Sequence, residues 1–182
     1  MKKLIMQYAK DLIGGRLASG FEHSYRIYHL AREIAEGEQY DDDVLHAACF
    51  LHNIEPSIEN AGQSAERAAV ILTETGFDSG KIRQVTDAIA EYPPAGSPQS
   101  IEGKLLHDAD LLDNTGAIGV VRLAIGAYSW YQSRTMEEVH EVLTQWLEYA
   151  DTFFFERARE MSREKITFMQ TAIDQLAKEL QL

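Results

Sequence analysis

Apolar residues recur along the chain at three- and four-residue intervals, and no stretch of alternating apolar and polar residues with hairpin punctuation interrupts them. The pattern predicts an all-α protein. The first clear helix start is Ser19-Gly20-Phe21-Glu22, a capping-box spacing, with Ile27, Leu30, Ala31 and Ile34 as the apolar stripe and Gly37 as the end. Asp41-Asp42-Asp43 suits the positive end of a second helix running through Val44, Leu45, Ala48 and Leu51 until Pro56 stops it. A third helix is predicted from about Ser64 to Thr75, ended by Gly76, and a fourth from Asp78 to about Glu91. After a loop holding Pro93, Pro94 and Pro98, Ser100 caps a helix through Leu105, Leu106, Ala109 and Leu112. A glycine-bearing segment around Gly116 to Tyr128 follows. Thr135-Met136-Glu137-Glu138 is a second capping box and opens two long amphipathic helices. With no repeat or linker, residues 1–182 read as one domain, a helical core of about 18–128 with a helical C-terminal extension of about 135–182.

Composition narrows the function classes. A chain of 182 residues, 45% hydrophobic, buries a core without staples. Its single cysteine, Cys49, lies in Ala47-Ala48-Cys49-Phe50-Leu51, the setting of a buried small hydrophobe, and fits a reducing cytoplasm. A net charge of −12, from 29 acidic against 17 basic residues, without a local basic patch, argues against nucleic acid and against anionic membrane surfaces as partners. Met1-Lys2-Lys3-Leu4-Ile5-Met6 starts as a signal peptide would, but Gln7, Lys10 and Asp11 interrupt the apolar stretch. Residues 118–131 come nearest to a membrane span and contain Arg122. Phe153-Phe154-Phe155 and Trp146 are expected to pack against the body of the domain or to form a homodimer surface.

No glycine-rich nucleotide cradle and no Gly-x-Ser-x-Gly elbow is present, so the histidines are the lead to chemistry. His29 and His140 lie among charged residues and read as solvated, and His46 and His107 read as surface or helix-end residues. His23 and His52 each fall at a helix end beside an apolar stripe, where a neutral imidazole can be held rigidly. Spacing alone leaves two readings open for this pair, metal ligation or hydrogen-bonded core histidines.

The order His23, then Ala47-Ala48-Cys49-Phe50-Leu51-His52-Asn53-Ile54, then His107-Asp108-Ala109-Asp110-Leu111-Leu112-Asp113 resembles the HD-domain superfamily of metal-dependent phosphohydrolases. The resemblance covers roughly residues 18 to 128, including Ser64-Ala65-Glu66, Ile101-Glu102-Gly103-Lys104 and Gly116-Ala117-Ile118-Gly119. It implies an HD-like helical bundle and one divalent metal ion (Mn, Fe, Co, Ni, Zn or Mg) held by His23, His52, position 53 and Asp110. It also implies hydrolysis of a small phosphate ester or nucleotide. Asn53 stands where the family's doublet has aspartate. An amide oxygen coordinates without charge, so weaker metal binding is expected, and the alternative is a degenerate HD domain that binds a small ligand or regulates without turnover. Ala90-Glu91-Tyr92-Pro93 stands where many relatives carry histidines, which disfavours a two-metal site and makes Glu91 a weak catalytic candidate beside Asp113 and Glu55. Arg26 and Lys104 match basic positions common in the family and are the expected substrate-phosphate contacts. Asp108, Asp110 and Asp113 are expected to form one acidic cluster that admits phosphate only when a cation is bound there.

Overall fold

The computed structural model describes residues 1–55 and 60–181. Among them the ordered elements are all helical: α1 (Lys2–Ile13), α2 (Phe21–Ile34), α3 (Asp42–Leu51), α4 (Ala61–Glu74), α5 (Ser79–Glu91), α6 (Ile101–Asp113), α7 (Gly116–Ser129), α8 (Met136–Glu148) and α9 (Glu156–Leu180), with a 3-10 turn Tyr149–Asp151 before α9. Pro56, the predicted stop of the second helix, and Leu182, the last residue of the extension, lie outside the described residues.

The caps explain most of the boundaries. The Asp41 carboxylate accepts the N–H groups of Asp43 and Val44, Asp78 accepts from Gly80, and Ser100 accepts from Gly103. Thr135 and Glu138 form the predicted reciprocal capping box at the start of α8. Two starts differ from the sequence reading. Gly20, not Ser19, is the N-cap of α2, with no side-chain cap bond, and α4 begins at Ala61, so that Ser64 lies inside it and accepts the Glu55 N–H. The sequence reading also passed over α1, whose apolar positions looked interrupted. Ile5, Ala9 and Ile13 are its buried residues, a four-residue spacing that forms one stripe on a helix.

Helix α6 is the centre of the bundle. It packs against α2, α3 and α5, and on its remaining side against α7 and α9. All of its residues except Ile101 and Lys104 are buried, including His107, Asp108, Asp110 and Asp113. Burying that many ionisable groups is costly unless each is paired, so α6 requires dedicated partners on every side. Helices α8 and α9 pack on each other and on α7, and their Leu143, Trp146, Met169 and Ile173, with Phe153 between them, join the same hydrophobic cluster as Ile5, Ile27 and Leu106. Phe154 is the exposed member of the aromatic triplet. No helix among the described residues is long and apolar enough to cross a membrane.

Candidate metal centre

His23 enters from the first turn of α2, His52 from the C-terminal cap of α3, and Asp110 from the last turn of α6. Each imidazole is oriented by its Nδ1. His52 Nδ1 donates to the Cys49 carbonyl at 2.8 Å, and His23 Nδ1 donates to Asp113 Oδ2 at 2.8 Å. These bonds assign the tautomer and leave both Nε2 atoms as lone-pair donors. The two Nε2 atoms face each other at 3.2 Å, and Asp110 Oδ1 lies 3.3 Å from His23 Nε2. One ligand atom from each of His23, His52 and Asp110 falls within 4.8 Å of the others, and all three residues are buried. Two opposed lone pairs and a carboxylate in a buried pocket repel one another, and the Arg122 Nη2 donor 3.1 Å from His23 Nε2 relieves only part of that. A cation among them removes that repulsion, and two imidazoles with one carboxylate are a donor set suited to a divalent transition metal.

The surroundings hold these groups in the required protonation states. Burial pushes the His52 pKa down to about 3, with the His23 ring adding to the effect, so His52 is a neutral imidazole at physiological pH. Burial pushes Asp110 and Asp113 the other way. For Asp110 the Arg122 charge outweighs it, and for Asp113 the bonds from His23 and Arg26 with the Arg122 charge do so, which keeps both carboxyls below their ordinary range. Arg122 is the buried countercharge. Its guanidinium donates to the Ala18 carbonyl at 2.6 Å and to Asn114 Oδ1 at 2.9 Å, pairs with Asp113 at 3.0 Å, and places Nη2 3.1 Å from His23 Nε2. Beside the cluster a cavity of about 20 Å³, room for one water or ion, is lined by Asn53, Tyr92, Asp110, Asn114 and Arg122.

The sequence matches the HD domain family over residues 20–115, more than half of the chain. The protein belongs to the HD domain family. Among curated proteins it is 27% identical to the uncharacterized protein YpgQ of Bacillus subtilis (strain 168), over 88% of this chain and 83% of YpgQ. A crystal structure of YpgQ in complex with ADP superposes with a TM-score of 0.71 at 22% identity, covering 98% of this chain and 97% of that one. A predicted HD-superfamily hydrolase from an uncultured Thermotogales bacterium aligns with a TM-score of 0.62 at 26% identity, over 98% and 90% of the two chains.

Within this HD domain the positions singled out from sequence are placed as follows. His23, His52 and Asp110 converge. Asn53 lines the adjacent cavity, and its Oδ1 accepts from the Tyr92 hydroxyl at 3.3 Å. Arg26 forms a two-bond pair with Asp113, at 2.8 and 3.0 Å. Lys104 is not among the residues lining the cavity, and its ammonium lies over the Phe154 ring, 5.7 Å from the centroid. Glu91 accepts the Gln99 N–H at 3.0 Å, and Glu55 pairs with Arg67 at 2.7 Å.

The expected single acidic cluster is two groups. Asp110 and Asp113 face the histidines, whereas Asp108 accepts the N–H groups of Phe154 and Phe155 and the His107 ring. The two positions differ by two residues on one helix and therefore point to opposite sides. His46 and His107, expected at the surface or at helix ends, are both buried. Cys49 is buried too, and burial pushes its thiol pKa well above the ordinary value. The sequence reading missed Arg122 and Tyr92 as members of the site. A signal for Arg122 was present, because an arginine inside the apolar run Gly119-Val120-Val121-Arg122-Leu123-Ala124-Ile125 must either break it or find a buried partner.

Proposed function

We propose that this HD domain is a metal-dependent phosphohydrolase that acts on small phosphate esters, nucleotides among them, in the cytoplasm. The observation that carries the reading is the opposed pair of Nε2 lone pairs on His23 and His52 with Asp110 beside them. His23, His52 and Asp110 would hold one divalent cation, with the Asn53 amide oxygen as a neutral fourth ligand. Bound there, the cation supplies charge that polarises a phosphate oxygen and lowers the pKa of a water.

The chain's own groups do the rest. Asp110 and Asp113 are matched in charge by Arg122 and Arg26, so a divalent cation leaves the site with a net positive charge that attracts a phosphate. Asp113 positions His23 and does not reach substrate, because its oxygens are occupied by His23, Arg26 and Arg122. Asp110 is the carboxylate among the cavity-lining residues and faces any group that enters there. Crystallisation of the relative YpgQ with ADP supports a nucleotide as one substrate.

Asn53 favours a second reading, a pocket that binds its ligand without turnover, since the missing charge weakens the metal. Phosphate release from nucleoside monophosphates and from a generic phosphate monoester, measured with added manganese, cobalt or nickel, separates the two. Turnover by the native protein that is lost in His52→Ala is the expected result. Turnover confined to Asn53→Asp would establish the binding-module reading, and a His52→Ala variant as active as the native chain would overturn the metal assignment.

A further inference from the structure

His23 Nε2 faces two claims. Among the described residues three groups approach it: the His52 Nε2 lone pair at 3.2 Å, the Asp110 carboxylate at 3.3 Å and Arg122 Nη2 at 3.1 Å. Of these the guanidinium alone carries hydrogens, and because His23 Nδ1 donates to Asp113, Nε2 can only accept. The lone pair that would bind a metal is therefore the acceptor of an Arg122 N–H. An imidazole nitrogen has one lone pair, in the plane of its ring, and cannot give it to a guanidinium and to a metal ion at once. The Arg122–His23 hydrogen bond and metal ligation by His23 exclude each other.

The rest of the guanidinium is held without His23. Nε donates to the Ala18 carbonyl, and Nη1 meets both Asn114 Oδ1 and Asp113 Oδ2, while the Asn114 amide nitrogen donates in turn to the Asp110 carbonyl at 3.0 Å. Arg122 thus keeps its place and its charge when Nη2 lets go of the ring, and the cavity of about 20 Å³ that it helps to line has room for one water to receive the released N–H. Two effects then oppose an incoming divalent ion. The hydrogen bond to His23 must break, and a buried positive charge stays beside the ligands, in surroundings that screen it poorly. Transition metals with a strong preference for imidazole overcome that opposition more readily than magnesium, which prefers oxygen ligands. The same charge balances Asp113, so one group both holds the site together and resists its loading.

Resting on the metal assignment proposed above, we infer that Arg122 is a resident cation that competes with the metal for the His23 lone pair and so sets the threshold at which the centre loads. The test is calorimetric titration of the metal-stripped full chain with manganese. Arg122→Met removes both the hydrogen bond and the charge and is expected to bind manganese about tenfold more tightly than the native chain. Arg122→Lys keeps the charge on a side chain too short to hold the His23 bond and is expected to gain about threefold. A residue that merely supports the pocket predicts the opposite sign, so weaker or unchanged binding by a folded Arg122→Met chain would overturn the competition. A gain in Arg122→Met with none in Arg122→Lys would do so too, because it would leave charge repulsion as the whole effect. The native chain supplies a measurement that needs no variant. A crystal structure with manganese bound is expected to show His23 Nε2 on the metal and Arg122 Nη2 beyond hydrogen-bond distance from it, with the Ala18 and Asn114 bonds kept. An Arg122–His23 bond retained beside bound manganese would overturn the competition alone. Native protein that binds no manganese, or binds it as His52→Ala does, would overturn the metal assignment, and the competition with it.

Discussion

A single atom type at position 53 sets the charge this residue would bring to the proposed metal site. The Asn53 carboxamide offers an oxygen but no charge, and that oxygen already accepts a hydrogen bond from Tyr92. A carboxylate there would add one unit of negative charge to the wall of the cavity beside the proposed cation, worth up to about 4 kcal/mol at a separation of about 4 Å and an effective dielectric constant near 20 before its own burial cost. Asn53→Asp is therefore expected to raise manganese affinity at least about tenfold, measured by calorimetric titration of metal-free protein; an unchanged affinity would place position 53 outside the metal's reach. His46 is a separate residue-scale case. It is buried between Tyr28 and Phe50, its Nδ1 has no hydrogen-bond partner among the described residues, and burial pushes its pKa down to about 4. Between pH 6.5 and pH 4 the unfolded chain binds a proton that the folded chain refuses, so stability is full above pH 6.5 and falls as the pH drops. Urea unfolding should show a loss of about 1–2 kcal/mol from this residue between pH 7 and pH 5, after allowing for solvent screening, and His46→Leu should remove it. The charge at position 53 could be read from the sequence. The burial of His46 could not, because the residues that cover it come from α2 and α3 together.

Helix α6 serves two surfaces with one sequence. Asp110 and Asp113, three apart, share the face toward the histidines, and Asp108 with His107 turns to the C-terminal helices. The Asp108 carboxylate receives the Phe154 and Phe155 N–H groups at 3.0 and 2.8 Å as the chain enters α9. Removing it leaves two partly buried donors without an acceptor, so Asp108→Ala is expected to destabilise the fold by about 3 kcal/mol in urea unfolding. Manganese affinity should stay within about threefold of the native value, and a larger loss would mean that the two faces of α6 are coupled. The helices themselves were legible from caps and periodicity, as Asp41, Asp78, Ser100 and Thr135 illustrate. What a run of aspartates on one helix faces is a different matter, since the groups that claim Asp108 lie more than 40 residues further along the chain.

Across the molecule, the centre ties α2, α3 and α6 together through His23, His52, Asp110 and Asp113, so a bound cation acts on the stability of the whole bundle. At a concentration about 100 times its dissociation constant, a ligand specific for the folded state adds about 2.7 kcal/mol. Added manganese should therefore raise the thermal midpoint of the native chain by about 5–10 °C, reversed by chelator and absent in His52→Ala. An equal rise in His52→Ala would show that the metal binds elsewhere. The overall charge of −12 is distributed unevenly: on the surface it stands as bulk repulsion, whereas inside Asp110 and Asp113 are balanced by Arg122 and Arg26. The sequence by itself determined the helical class and most helix starts, because periodicity and capping are local properties of the chain, and the order of its motifs was enough to place it in the HD family. Only the tertiary structure decided which polar groups share a pocket. Arg122 meets His23 across 99 residues, Tyr92 meets Asn53 across 39, and Asp108 leaves the cluster its neighbours form. Such pairings are fixed by the packing of whole helices, in which every buried charge must find its partner, and no spacing along the chain specifies them.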